Sequence, residues 1–213
     1  MKNWQIAVFI LILGADIFMI INGMSRTITK PLILLSLIIF TLSTLGGSWK
    51  DHFLFLLGMI FAWLGDVLLL GDGNLFFILG LASFLTMQLI YSYVFFRQKA
   101  IGIHNRMKQF FAVIALSILF ILFLLPKVET EMQVPVIVYF LSIVLMTVLA
   151  ILRWKVKGYY FVLVGALLFM FSDGLLGLNK FGDPIKYAGI GVMLSYGLAQ
   201  LFICHGYLIG RSK

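Results

Sequence analysis

Two aspartates stand inside long apolar runs. FAWLGDVLLL, residues 61–70, carries Asp66, and FMFSDGLLGL, residues 169–178, carries Asp173. Neighbouring carboxylates in a poorly solvated pocket can share one proton, so that one serves as an acid and the other as a base. Such a pair suits acid-assisted hydrolysis through a cationic intermediate. It suits a proton-coupled transporter equally well, and residue types alone do not separate the two. Asp16 and Lys30 are two more charges next to or inside apolar sequence.

A charge in hydrocarbon costs roughly 2.5–3.5 kcal/mol on insertion scales. It is expected to face the interior of a helix bundle or a wet cavity. Small residues beside each acid fit close helix packing there: Gly58, Ala62 and Gly65 before Asp66, and Gly165 and Ser172 before Asp173. Asn22, Ser83, Gln88 and Tyr91 on one side, and Ser195, Tyr196 and Gln200 on the other, can complete a polar lining. The competing role for each is structural. Asp66 and Asp173 can pair with Lys30, Lys30 can snorkel to the interface, and the amides and tyrosines can simply join helices.

The elements that must position these groups follow from composition. The chain has 213 residues, 62% of them hydrophobic and 11% charged, with a mean hydropathy of +1.11. A soluble domain of this size needs a larger polar skin. The fold class is therefore all-α, a polytopic bundle of about eight transmembrane helices in a single membrane domain. Apolar runs long enough to cross a bilayer fall at 4–22, 31–48, 52–71, 74–96, 107–126, 134–152, 158–178 and 184–209. The first carries Asp16 and has no clear cleavage site, so it reads as a retained span.

Basic residues set the orientation. With the N-terminus inside, eleven Lys and Arg face the cytoplasm (Lys2, Lys50, Arg97, Lys99, Arg106, Lys108, Arg153, Lys155, Lys157, Arg211 and Lys213). Five (Arg26, Lys30, Lys127, Lys180 and Lys186) face outward. Both termini are thus expected in the cytoplasm. The net charge of +8 lies in short loops with no basic stripe, which argues against nucleic-acid binding. His52, His104 and His205 map to the inner side, away from the acids, so neither a His-assisted nucleophile nor a zinc site is expected. Asp72 and Asp183 fall in outer loops. The single cysteine, Cys204, cannot form an intrachain disulfide.

LLGMIFAWLGDVLLL (56–70) aligns with LVGALLFMFSDGLLG (163–177) without a gap, at an offset of 107 residues. It pairs Gly58 with Gly165 and Asp66 with Asp173. The offset covers four spans, and an even number of crossings keeps orientation, so this reads as a parallel repeat of four helices plus four.

Five motifs in order, TKPL (29–32), LGDVLL (64–69), FILGLASFLTMQLIYSYVF (77–95), GALLFMFSDGLL (165–176) and VMLSYGLAQLFICHG (192–206), resemble the YhhN family, the lysoplasmalogenase-like membrane proteins. The resemblance covers nearly the whole chain. It implies a bundle of about eight helices that hydrolyses the vinyl ether bond of lysoplasmalogens, giving a fatty aldehyde and a glycerophospho-ethanolamine or -choline. The implied partner is a single-chain ether phospholipid and the expected location a bacterial cell membrane, with no cofactor or metal. The family pattern carries over onto Lys30, Asp66, Tyr91, Asp173, Tyr196 and Gln200. It departs at Gln88, where the family usually has a histidine. A lipid or proton-coupled transporter using the same acids is the alternative.

Overall fold

A computed structural model describes residues 1–98 and 106–211. Lys99, His104 and Lys213, counted above on the inner side, lie outside the described residues. Eight α-helices follow one another: α1 (Asn3–Ile21), α2 (Thr29–Leu45), α3 (Phe53–Leu68), α4 (Asn74–Arg97), α5 (Met107–Leu124), α6 (Thr130–Ile151), α7 (Tyr159–Phe181) and α8 (Ala188–Arg211). No strand occurs among the described residues. Short 3-10 turns, Gly46–His52 and Leu125–Lys127, join α2 to α3 and lead out of α5.

Among the described residues, seven helical stretches are long and apolar enough to cross a membrane, one of them the 40 residues Thr29–Leu68. That stretch is not one rod. Forty helical residues would span roughly 60 Å, yet Lys30 near its start and Asp66 near its end line the same cavity. The chain reverses at the 3-10 turn, where α2 stops at Gly46, a residue with φ +55°. In the left-handed region glycine carries no Cβ penalty. The eight expected spans are thus eight helices, two of them read together as one apolar stretch.

The outer surface is what a lipid-facing bundle requires. Leu116, Leu119, Leu122 and Phe171 are each more than 60% exposed, while polar side chains such as Asp16, Gln88 and Gln200 are buried. This inverts the soluble pattern, because a helix pairs the backbone polar groups of its interior along its own axis and lipid accepts the apolar side chains. The protein is an integral, multi-pass membrane protein. Two helix ends differ from expectation in a useful way. α6 starts at Thr130 and runs through Pro135. α7 continues past residue 178 to Phe181, adding most of a turn that presents Asn179 and Lys180 at the mouth of the cavity described below. A helix need not end where the apolar run does.

The closest helix contacts are made at small residues. A Cβ on Gly165 of α7 would lie 2.8 Å from the carbonyl oxygen of Ala199 and 2.9 Å from the backbone nitrogen of Ile203, both on α8. Backbone cannot move aside as a side chain can. Gly165→Ala is therefore expected to lower stability by about 1–3 kcal/mol, the usual range for overpacking. A fall in the thermal midpoint of detergent-purified protein, with the variant still helical, is the measurement; an unchanged midpoint would show that α7 and α8 can separate freely.

At the opposite end of the bundle from the acids, Arg153 is fully buried. It donates through Nε and Nη2 to Oε1 of Gln98, at 3.1 and 2.8 Å, and lies 5.1 Å from the centre of the Phe95 ring. Burial lowers its pKa to about 10, which still leaves it charged at neutral pH. It fastens the connection after α6 to the end of α4. His52 bonds Tyr207 at 2.7 Å in the same region. His52 precedes Asp66 by 14 positions, roughly 21 Å of helix, so it stays remote from the acids as expected.

Candidate active site

Asp66 sits in the last turn of α3 and Asp173 in the C-terminal half of α7. Both line one cavity of about 340 Å³. The structure thus brings the two acids to the wall of one cavity, each held by its own set of donors. Lys30 from the first turn of α2 and Tyr196 from α8 line it too, as do Arg26 from the α1–α2 loop and Asn179 and Lys180 from the end of α7. Phe84, Phe169 and Tyr196 pack edge to face, with ring centroids 5.6–6.2 Å apart. Phe84 and Tyr196 line the cavity, and Phe169 packs against both.

The two acids have different partners. The Tyr196 hydroxyl donates to Oδ2 of Asp66 at 2.8 Å, and Lys30 shares that stretch of wall. Asp173 accepts from the Tyr139 hydroxyl of α6 at 2.5 Å and from Nε2 of Gln88 at 3.2 Å, both on Oδ2. The other end of Gln88, Oε1, accepts from the Ser142 hydroxyl. Asp66 is 2% exposed, whereas Asp173 is only partly buried. The arrangement is crossed: each acid stands on the third helix of its half. It takes a hydrogen bond from the fourth helix of the other half and faces a residue on the second helix of its own. Lys30 and Tyr139 are those second-helix residues.

Other sequence-picked residues lie off the cavity wall. Asp16 is fully buried and accepts a two-point ion pair from Arg26, at 2.6 and 3.1 Å, and a bond from the Thr29 hydroxyl at 2.7 Å. It lies behind Arg26 and holds the α1–α2 loop, and it is not among the residues that line the cavity. Asn22 is exposed and donates to the carbonyl of Phe18, which closes the C-terminal turn of α1. Ser83 donates to the carbonyl of Phe61 at 2.6 Å, tying α4 to α3. Ser195 bonds back to Gly191 on its own helix. Tyr91 donates to Gln200 at 3.3 Å and stacks on Phe55, deeper in the bundle than the cavity. Asp72 and Asp183 are exposed.

The sequence profile of the YhhN family matches residues 25–207, a stretch that includes every cavity residue named above. The chain belongs to the YhhN family. A relative from Homo sapiens named lysoplasmalogenase TMEM86B is 30% identical over 128 residues, which is 60% of this chain and 52% of the relative. The chain thus spans about half the length of the curated relative it matches. No solved structure matches it significantly.

Within this YhhN protein, sequence reasoning missed Tyr139 and Arg26. Tyr139 lies in a span where tyrosine passes as an ordinary interfacial residue. The usable signal was Ser142 three positions on, which puts two hydroxyls on one helix face. Arg26 counted only as a loop charge for topology. Its partner Asp16, ten residues away in the adjoining helix, was the clue.

Proposed function

We propose that this YhhN protein hydrolyses the vinyl ether bond of a lysoplasmalogen, as the name of its human relative suggests. The observation that carries the reading is the single cavity lined by Asp66, Asp173 and Lys30. A vinyl ether is cleaved by protonation at its β-carbon, which gives an oxocarbenium ion. Water adds to the cationic carbon, and the hemiacetal collapses to an aldehyde and an alcohol. This chemistry needs a positioned acid, a base for water and negative charge near the cation. Two carboxylates supply all three and require neither metal nor cofactor.

Lys30, with Arg26 and Lys180 nearer the mouth, offers positive charge to the lipid phosphate. Tyr196 orients Asp66, and Tyr139 orients Asp173. Incubating purified protein with a lysoplasmalogen and an ester lysophospholipid of matched chain length, with mass spectrometry of products, tests the reading. Aldehyde should form from the first, and nothing from the second. A well-folded preparation that releases no aldehyde overturns it and leaves the proton-coupled transporter as the working reading.

Gln88 is the position where the family usually has histidine. It already donates to Asp173. Histidine there keeps a ring N–H toward the carboxylate and adds a group that can carry a proton near neutral pH. Gln88→His should raise kcat several-fold. A fall in rate would mean that the hydrogen bond from Ser142 to the glutamine carbonyl matters more.

The proposal places the cavity in the outer half of the membrane, with both termini in the cytoplasm. A reporter fused after residue 213 should read cytoplasmic, and one inserted at 127–129 should read external. Reversed readings would move the cavity to the inner leaflet.

A further inference from the structure

α5 is the most loosely held helix of the bundle. Of its 18 residues only Val113, Ser117 and Leu124 are buried. Beside it, between α5, α6 and α7, lies an apolar groove of about 410 Å³, walled by Leu116 and Phe120, Phe140, and Leu167, Met170 and Phe171. A small space of about 40 Å³ adjoins it, sharing Phe120, Phe140, Met170 and Gly174. That small space is also lined by Asp173, Phe77 and Leu176, which line the polar cavity as well. The three spaces run in series: a cationic mouth, the two acids, a neck at Asp173 and Gly174, and a lipid-facing apolar groove.

We infer that this groove is the lateral entrance and binding site for the hydrocarbon chain of a single-tailed phospholipid, held with its head group at Lys30 and its chain between α5 and α7. The inference rests on the reading of the cavity as a vinyl-ether hydrolase site and adds where the chain lies. The order of spaces matches the order of groups in such a lipid: phosphate, glycerol, ether, alkyl chain. The wall is apolar where it faces lipid and cationic at the other end. At Gly174 a Cβ would stand 3.4 Å from the Phe120 ring, at van der Waals contact, so any side chain longer than alanine's would enter the neck.

A chain in the groove fixes the direction of the substrate, and with it the roles of the acids. The β-carbon is the alkene carbon on the chain side, so it lies toward Asp173. The Asp173 carboxyl gives its proton to that carbon, the C=C π pair forming the new C–H bond. Water then bonds to the α-carbon and yields a proton to Asp66. In the collapse, Asp66 returns that proton to the departing glycerol oxygen. The hemiacetal hydroxyl proton goes to Asp173, and both acids end as they began. Proton transfer to carbon is the slow step of vinyl-ether hydrolysis, so Asp173→Asn should cost more in kcat than Asp66→Asn. The reverse order would invert the assignment.

Two measurements test the groove. First, a non-cleavable saturated alkyl-ether lysophosphocholine with a diazirine at its chain end is photolysed on the wild-type protein, and the labelled peptides are mapped. Label should concentrate on residues 116–120 and 167–174. Excess unlabelled alkyl lysolipid should displace it, and glycerophosphocholine should not. Label spread evenly over lipid-facing positions, or displaced equally by two-tailed phospholipid, would overturn the inference. Second, Gly174→Leu and Leu116→Trp narrow the groove from its two ends, with Leu119→Trp as the lipid-facing control. Each narrowing variant should lower the long-chain over short-chain ratio of kcat/KM by about tenfold, the contribution of roughly two buried methylenes. An unchanged ratio in both, with activity retained, would overturn it. The labelling needs no turnover: concentrated label on a protein that cleaves nothing would sink the hydrolase reading and keep the groove, while active protein with diffuse label would do the opposite.

Discussion

Asp173→Asn protein should fold, insert and lose vinyl-ether cleavage by at least about 10²–10⁴-fold, the usual contribution of a positioned general acid or base. Asn has almost the shape of Asp, and its carbonyl can still accept from Tyr139 and Gln88, the two donors on Asp173. Removing a carboxylate from hydrocarbon costs the fold nothing, so stability should hold or rise. What disappears is the exchangeable proton, because an amide neither delivers one at useful acidity nor takes one back. Asp66→Asn should likewise keep its bond from Tyr196 and lose activity, by a smaller factor. The check is aldehyde release per folded protein, with thermal midpoint and monodispersity measured alongside. Full activity in both variants would show that the carboxylates are structural.

The second large effect is expected at Lys30. It is 7% exposed and lines the cavity with Asp66. If it meets the lipid phosphate, that contact exists in both the ground state and the transition state, so its loss should appear mainly in KM. A hydrogen bond to a charged group contributes about 1.5–3 kcal/mol, so Lys30→Met should raise KM roughly 10- to 150-fold with a much smaller change in kcat. A collapse of kcat at constant KM would place Lys30 as a partner of the Asp66 carboxylate instead. Removing the phosphate from the substrate should reproduce the KM effect in wild type and add nothing in the variant.

The parts of this protein legible in its sequence were those where physics punishes the wrong residue. Apolar runs gave the spans, because hydrocarbon tolerates little else. Asp66, Asp173 and Lys30 stood out because a charge there is expensive, and the structure brings these three to one cavity. Tyr196 was found through its place near other polar groups on α8. Residues that cost nothing in their setting were invisible. Tyr139 reads as one more aromatic in a span, and Arg26 as one more loop cation. The charge of Asp16 is as conspicuous as those of the other acids, but Arg26 and Thr29 already bond it. Sequence shows that a buried charge needs a partner without showing whether the partner is protein or substrate. The neck beside Gly174 and the groove behind it arise from three helices at once, and no local pattern records them.

The crossed hydrogen bonding at the two acids bears on how one pocket comes to hold two unlike carboxylates. In the repeat that the aligned segments 56–70 and 163–177 propose, an operation laying the first four helices on the last four would exchange Asp66 with Asp173. In a perfectly symmetric assembly the two would have identical surroundings and no basis for a division of labour. Lys30 and Tyr139, each on the second helix of its own four, break that equivalence: one carboxylate shares its cavity wall with an ammonium and the other accepts from a phenol. A single chain allows this, because each half can change its side chains without changing the other, which two copies of one short chain could not do.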